Sequence, residues 1–272
     1  MSVSVLDELK SSGLVPSIIV TTPDKPRGRK LILSPNVVKS WGLAHDIKVF
    51  DFAKLDADAA RALKEEGCAV FIVASYGKLL PPRVLEIPEF GLLNIHPSLL
   101  PKYRGPSPLQ SAILADDKRT GVTIMKIDEE MDHGPIVAQK AVAVDEWPVY
   151  EIFEDMMARQ GAKLLAEILD DWLDGKIEAR LQDDSLATYT KKFEKADGLL
   201  DLSGDPYLNF RKIQAFHEWP QAYFMLSRDG RDIRVKVTEA SFASGRLEIV
   251  KVIPEGGREM SYKDFRSGYQ NV

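Results

Sequence analysis

The chain has 272 residues, of which 44% are hydrophobic and 28% charged, and its formal net charge is −5. These proportions are ordinary for a globular protein, and the negative charge argues against a general nucleic-acid coat, so contact with RNA would have to come from local basic clusters. The longest continuous apolar run, residues 69–74, is far shorter than the roughly 18–20 residues that span a bilayer. A single cysteine, Cys68, and no visible charged-then-apolar leader lead us to expect a reducing, cytoplasmic setting.

The first part of the chain alternates helical patterns with short apolar runs. Apolar residues at helical spacing in 3–9 predict an opening helix. Residues 15–21 form a β-branched run and residues 69–74 a continuous apolar run, which is typical of strands in a parallel sheet covered on both faces. Further predicted elements are a basic loop at 22–30, a helix at 55–67 and a strand at 91–95.

The pattern changes about two thirds of the way along the chain. A helix at 109–115, strands at 121–127 and 136–144, and a long helix at 150–173 continue the alternation, which predicts an α/β sheet up to about residue 175. The polar stretch at 176–195 reads as a linker. Short strands separated by glycine-containing turns then predict a small β-rich, barrel-like second domain, at 222–226, 233–237 and 246–253.

Polar side chains follow two of the predicted strands. Asn94 and His96 are two residues apart at the end of one strand, so on an extended chain both point to the same face. The carboxyl end of a sheet strand is where α/β folds usually bind ligands. Asp132 follows the strand at 121–127 and precedes a glycine turn, where the chain can bend close to a ligand.

An amide, an imidazole and a carboxylate suit the transfer of an acyl group to an amine. The attack forms a tetrahedral carbon that bears a negative oxygen, which Asn94 and a protonated His96 would stabilise. Asp132 would keep His96 charged by proximity and help to remove the amine proton. The scheme needs no metal and no covalent intermediate. Taken singly, an Asn or His at a strand end is more often a cap or a packing residue, and residue types alone leave that reading open.

The longer string is more specific. Residues 94–101 (NIHPSLLP), 103–105 (YRG) and 121–135 (GVTIMKIDEEMDHGP) together resemble the folate-dependent formyltransferase family. The resemblance implies that Asn94, His96 and Asp132 are the catalytic trio and that 10-formyltetrahydrofolate is the formyl donor. It also implies a folate-binding stretch made of Ser98, Leu99, Leu100 and Pro101, and a loop at 77–80 that lines the pterin pocket.

Other segments are similar to the branch of this family that formylates initiator methionyl-tRNA. They are the basic loop at 23–29, the linker at 189–192, and residues 215–220 and 260–265. The resemblance implies a Rossmann-like catalytic domain at 1–178, a linker at 179–196 and an open β-barrel (OB-like) domain at 197–272 that contacts tRNA. Arg27, Arg29 and Lys30 would supply tRNA contacts, and we expect a monomer.

Two other functions stay open at this stage. The same trio would serve a formyltransferase that acts on a sugar amine or a ribonucleotide amine, so the trio cannot discriminate between acceptors. A catalytically inactive tRNA-binding relic is the third reading, because the family begins with a central strand and a glycine turn before its first helix, whereas here the helix starts almost at Met1. We therefore expect the polypeptide to extend by roughly ten residues ahead of Met1, since unpaired strand edges are costly.

Overall fold

The computed structural model describes residues 1–27, 31–77, 80–228 and 230–269. The chain forms two compact units, the first made of Met1–Gly105, Gly121–Val142 and Asp155–Tyr189, and the second of Pro106–Thr120, Ala143–Glu154 and Thr190–Val272. The contiguous domain limits 1–178, 179–196 and 197–272 stay a prediction, because compactness by itself does not establish what folds independently. No helix in the described ranges combines the length and the apolar character that a membrane span requires.

Up to residue 173 the helices and strands largely follow the predicted order. They are α1 (Ser2–Ser11), β1 (Ile18–Val20), β2 (Lys25–Arg27), β3 (Ile32–Ser34), α2 (Val37–Ala44), β4 (Lys48–Phe50), α3 (Ala57–Glu65), β5 (Phe71–Val73), α4 (Pro82–Leu85), β6 (Leu92–His96), α5 (Pro108–Ala115), β7 (Arg119–Lys126), β8 (Ile136–Ala143) and α6 (Tyr150–Leu173). The prediction of a plain loop at 22–30 was wrong for residues 25–27, which pair with β3 in a short antiparallel hairpin.

The strands of the first unit form two larger pieces of sheet besides that hairpin. β1 pairs with β4 in parallel, and a four-stranded sheet has the order β5-β6-β7-β8. β6 runs parallel to β5 and antiparallel to β7, so this sheet is mixed. Parallel strands joined by helices make the unit Rossmann-like, as the sequence predicts.

The central strand of this sheet is β6, and α6 lies very close to it. A Cβ atom added to Gly161 of α6 would stand 2.3 Å from the Cγ2 atom of Ile95. The helix can therefore lie this close to β6 only because that position is glycine. Leu93 and Ile95 are almost completely buried. The strand whose end carries Asn94 and His96 is therefore fixed by packing.

A slot separates the two pieces of sheet. Within the described residues β1 pairs only with β4, and β5 only with β6, so their facing edges are not hydrogen-bonded to each other. A cavity of about 580 Å³ lies between them, lined by Ile18–Val20, by residues 69–75, and by apolar side chains of α1 and α6 (Val5, Leu6, Leu9, Leu165 and Leu169). The Ser2 hydroxyl donates to the Ala74 carbonyl over 3.0 Å, which places the start of α1 at the carboxyl end of β5.

The second unit is built around an antiparallel sheet. Its later elements are α7 (Pro206–Ala215), β9 (Tyr223–Arg228), β10 (Arg231–Ala243), β11 (Arg246–Pro254), β12 (Met260–Ser261) and α8 (Tyr262–Tyr269). The sheet has the order β12-β11-β10-β9. Val235 and Val252 are fully buried, and the rings of Phe224 and Phe265 pack edge to face with centroids 6.2 Å apart. The three predicted strands correspond to β9, β10 and β11.

The slot generates a stability prediction. A segment of about five branched apolar residues followed by a glycine turn, placed ahead of Met1, should enter the slot as a parallel strand between β1 and β5. Each buried backbone group that gains a partner avoids a cost of about 1–3 kcal/mol. The midpoint of thermal unfolding should rise, and the amides of Ile18–Val20 and Phe71–Val73 should exchange with deuterium more slowly. A glycine-serine segment of equal length is the control, and equal behaviour of the two extended forms would contradict the prediction.

Candidate active site

The structure brings the three polar residues of the predicted trio together. Asn94 and His96 lie on β6, whose alternate residues Leu93 and Ile95 point into the core. Asp132 comes from the loop between β7 and β8, and its Oδ1 atom lies 3.6 Å from Nδ1 of His96. The antiparallel register sets His96 opposite Thr123 and the end of β7, Lys126, opposite Leu93, so the loop after β7 brings Asp132 back to His96.

His96 is buried, hydrogen-bonded at one ring nitrogen, and faces the Asp132 carboxylate with the other. Its Nε2 atom lies 3.0 Å from the carbonyl oxygen of Tyr103, and because a carbonyl can only accept, Nε2 carries the hydrogen. Burial lowers the pKa of His96 below its ordinary value of 6.5, and the opposing influences of Asp132 and the Tyr103 carbonyl do not make up the difference. The expectation that Asp132 keeps His96 charged was therefore wrong, since desolvation outweighs the nearby carboxylate. The resting imidazole is neutral, with a lone pair on Nδ1.

The Asp132 carboxylate is oriented by main-chain groups. Its Oδ2 atom accepts a hydrogen bond of 2.8 Å from the backbone N–H of Gly105. Asp132 itself has a left-handed backbone, with φ of 51°. Two residues later the loop presses on β7 so tightly that a Cβ atom on Gly134 would stand 1.8 Å from the Lys126 carbonyl oxygen. This close contact limits the conformation of the loop that brings the Asp132 carboxylate to His96.

Asn94 differs from its two neighbours in having an uncommitted amide. It is half-buried, and among the described residues none hydrogen-bonds its side chain. A strand-end amide in this state can donate to a ligand without first breaking a protein contact. This suits the stabilisation of a developing negative oxygen, for which fixed donors are most effective.

The predicted folate-binding stretch is a tightly bonded turn that directs its side chains inward. The Ser98 hydroxyl is fully buried and donates to the Lys102 carbonyl over 2.6 Å. Leu100 is buried, and Leu99 packs on Gly121, where a Cβ atom would stand 2.5 Å from the leucine. Thr123 bonds both to the Ser98 carbonyl and to the Leu100 amide. Leu99 and Pro101 are half-buried, so a ligand here would meet these two side chains and the backbone of the turn.

Several functional groups were missed by the sequence reasoning. The Tyr103 carbonyl and the Gly105 amide are main-chain groups, which residue types do not signal. Gln139 donates to the Leu100 carbonyl over 2.8 Å from a strand that was predicted only as an edge. The motif at 103–105 was the one available signal, because it follows the folate-binding stretch directly.

Some of the predicted site residues lie outside the described part of the chain. Arg29 and Lys30 lie outside the described residues, as do residues 78–79 of the predicted pterin-pocket loop, and Arg27 ends β2. In the described part of the chain, no three His, Cys, Asp or Glu side chains converge as metal ligands. The roles of Arg27, Arg29 and Lys30 stay predictions.

The sequence is similar to known formyltransferases. A family model described as "Formyl transferase" matches residues 2–169. The chain is 44% identical over 284 residues to the methionyl-tRNA formyltransferase of Chloroflexus aggregans, an alignment that covers 96% of this chain and 91% of the relative. It is 33% identical over 293 residues to the enzyme of the same name from Methylococcus capsulatus, with 98% and 94% covered.

Solved structures with the same fold include enzymes for different acceptors. Methionyl-tRNA formyltransferase from Clostridium thermocellum matches with a TM-score of 0.59 at 16% identity, over 90% of this chain and 98% of that one. A 4-N formyltransferase from Francisella tularensis matches with a TM-score of 0.65 at 21% identity, over 88% and 95%. HypX from Aquifex aeolicus, in complex with tetrahydrofolic acid, has a TM-score of 0.65 at 16% identity over 94% of this chain and 47% of its own. These likenesses show the fold.

The pKa values of His96 and His133 should be shifted in opposite directions. His96 should half-protonate below pH 6.5 because burial lowers its pKa, whereas the hydrogen bond that His133 donates to Asp128 raises the pKa of His133 above that value. Asp132→Asn should lower the pKa of His96 further, because it removes a charge that favours the imidazolium, and should leave His133 as the internal control. Imidazole NMR across pH 4–9 measures both. A His96 ring that titrates above pH 6.5 would overturn this account.

Proposed function

Because the chain belongs to the methionyl-tRNA formyltransferase family, we propose that it transfers the formyl group of 10-formyltetrahydrofolate to the amino group of methionine on initiator tRNA. The observation that carries the proposal is the meeting of Asn94, His96 and Asp132 at the carboxyl end of β6, with the Asn94 side-chain amide hydrogen-bonded to no side chain or backbone group of the described residues. The alignment with the Chloroflexus aggregans relative, at 44% identity, covers more than 90% of both chains, which supports the same acceptor and not the same fold alone.

In the proposed reaction the methionine amine attacks the formyl carbon. Asn94 donates to the oxygen that becomes negative, and neutral His96 takes the proton of the attacking nitrogen on Nδ1. The Asp132 carboxylate, 3.6 Å away, stabilises the imidazolium while it exists. The bond from the formyl carbon to N10 of the folate then breaks, and His96 returns its proton to N10. A carbon–nitrogen bond forms, another breaks, and one proton moves between the two nitrogens.

The tRNA would bind through two regions. Arg27 ends β2, and Arg29 and Lys30 follow it in the sequence, outside the described residues; the charges of all three suit phosphate contacts. The antiparallel sheet of β9 to β12 supports an open-barrel, OB-like domain, a fold suited to nucleic acids. We propose a monomer that works in the cytoplasm, where charged tRNA and folate are available.

The acceptor is tested directly by supplying three candidate substrates. The protein is incubated with 10-formyltetrahydrofolate and either charged initiator methionyl-tRNA, an amino-sugar nucleotide or a ribonucleotide amine, and formylated products are measured by mass spectrometry. Formyl-methionine is the expected product. A sugar or ribonucleotide product would move the chain to another branch of the family, and tRNA binding without any formylated product would support the inactive relic.

Removal of the proposed oxyanion donor should reduce turnover strongly. Asn94→Ala should lower kcat by at least about a hundredfold, the usual loss for one such donor. Asp132→Asn should lower kcat to a similar degree, because the imidazolium loses its counter-charge. Circular dichroism and thermal unfolding serve as folding controls, since the Asn94 amide bonds no described residue. Near-normal turnover in well-folded variants would remove these residues from the mechanism.

Neutralising the three basic residues of the loop at 22–30 should weaken tRNA binding in a salt-dependent way. Replacement of Arg27, Arg29 and Lys30 by glutamine should raise KM for methionyl-tRNA and flatten the dependence of binding on salt, because fewer counterions are released. The KM for the folate should not change. The matched control replaces Lys10, Lys54 and Lys64, three exposed lysines on other elements. Equal salt slopes for the two triple variants would mean that the three basic residues do not contact tRNA.

A further inference from the structure

A segment after α6 returns to the site and bonds to both of its loops. We call residues 180–189 the strap. At one end, Arg180 and Ile136 exchange backbone hydrogen bonds of 2.7 and 2.8 Å, which attach the strap to the start of β8. At the other end the Arg104 amide donates to the Thr188 carbonyl over 2.8 Å. The sequence indicated only a polar linker here, yet the strap adds backbone pairing to the loops that hold His96 and Asp132.

Gln182 of the strap reaches the backbone of the catalytic loop. Its Nε2 atom donates to the carbonyl oxygens of Asp132 and Gly134 over 2.9 and 2.8 Å. Its Oε1 atom accepts from Nε and Nη2 of Arg104 over 3.0 and 2.8 Å. Carbonyls only accept and a guanidinium only donates, so the partners fix which end of the amide is which. Both hydrogens of the amide nitrogen and its oxygen are in use.

Arg104 holds the other end of this connection. Its side chain is 2% exposed, and a charge at that depth is tolerated only when it is paired and hydrogen-bonded. Besides Gln182 it donates to the Asp184 carboxylate over 2.7 Å and to the Tyr189 hydroxyl over 3.2 Å, both on the strap. Arg104 is thereby locked to the strap at three side chains.

The connection forms a closed loop around the site. Tyr103 and Gly105, the chain neighbours of Arg104, contact the His96 ring and the Asp132 carboxylate through their main chains. The Arg104 side chain leads through Gln182 to the carbonyl of Asp132. The carboxylate and the backbone of Asp132 are therefore tied to the same three-residue stretch. A left-handed residue such as Asp132, with φ of 51°, keeps that conformation only when its surroundings define it.

We propose that Gln182 is a positioning residue that, anchored by Arg104, fixes the backbone of Asp132 so that its carboxylate stays in place beside His96. The inference rests on the proposed function in one respect, namely that His96 and Asp132 handle the proton. Its direct effect, however, is on the distance between two side chains, which can be followed without any turnover.

The isosteric variant Gln182→Glu tests the contacts of the amide nitrogen separately from those of the amide oxygen. A glutamate keeps the volume and can still pair with Arg104, but its carboxylate has no hydrogen to give to the carbonyls of Asp132 and Gly134. If Gln182 positions Asp132, Gln182→Glu and Gln182→Ala should both lower kcat, on the order of ten- to a hundredfold, the loss expected from displacement of a reacting group by about 1 Å. The KM for methionyl-tRNA should stay unchanged.

The matched control is Ser185→Ala, because Ser185 lies on the same strap and, among the described residues, its hydroxyl bonds only Asp183. Imidazole NMR is the readout that a purely structural role would not move. Gln182→Ala should lower the pKa of His96, as Asp132→Asn does, while His133 and the Ser185→Ala variant stay unchanged. Gln182→Glu is assessed by kcat alone, because its added negative charge would by itself raise the pKa of His96. Denaturation curves identify any variant that fails to fold, and the kcat of Gln182→Glu remains informative because its shape is conserved.

The outcomes distinguish this proposal from the function on which it rests. Normal turnover of Gln182→Glu, with impairment only in Gln182→Ala, would mean that Gln182 merely satisfies Arg104, and positioning would be overturned. Loss of activity in Asp132→Asn, with unchanged kcat in both Gln182 variants and an unchanged His96 titration in Gln182→Ala, would overturn it equally. Full activity of Asp132→Asn would instead contradict the proposed mechanism, whatever Gln182 does.

Discussion

The site depends on the hydrogen bond of 2.8 Å that runs from the Gly105 amide to the Asp132 carboxylate. This bond joins the loop after β6 to the loop after β7. Tyr103, two residues before Gly105, holds one nitrogen of the His96 ring, and Asp132 faces the other. The imidazole is therefore oriented from both sides by groups that meet in one short stretch of chain. The packing of α6, the tight path at Gly134 and the strap all act by limiting where these loops can be.

The electrostatics of the site follow from burial. His96 is 4% exposed, and desolvation makes its charged form unfavourable even with a carboxylate close by. His133, one residue after Asp132, is far more exposed, and its hydrogen bond to Asp128 raises its pKa. Two histidines near the same loop thus have pKa values shifted in opposite directions. A neutral base with a poised counter-charge suits a reaction in which the proton is held only briefly.

The sequence predicted the parts of the fold that have strong patterns. The helix at 150–173 is confirmed as α6, and the strand before Asn94 as β6, because long amphipathic or continuous apolar runs leave few alternatives. The helix α2 and the strand β4 were missed, since eight and three residues give too short a period to detect. The pairing of residues 25–27 was missed because proline and glycine suggest a loop even where a short hairpin forms.

The candidate site was predictable in its side chains and not in its surroundings. Spacing placed Asn94 and His96 on one face, but the charge of His96 depends on burial, which no residue type encodes. The Gly105 amide and the Tyr103 carbonyl belong to the backbone, and Gln182 lies in a polar stretch 50 residues after Asp132. Long-range polar contacts of this kind need the folded chain. The catalytic roles themselves stay predictions until turnover is measured.

The left-handed backbone of Asp132 links the chemistry of this position to the durability of the fold. With φ of 51°, the residue occupies a region that glycine enters freely and that costs other residues roughly 1–2 kcal/mol. The replacement that would relax the turn is therefore also the one that deletes the carboxylate. Asp132→Gly would relieve the strain of the backbone and at the same time remove the carboxylate that accepts from the Gly105 amide and faces His96. At this one position, the conformation of the backbone and the interactions of the side chain therefore favour different residues.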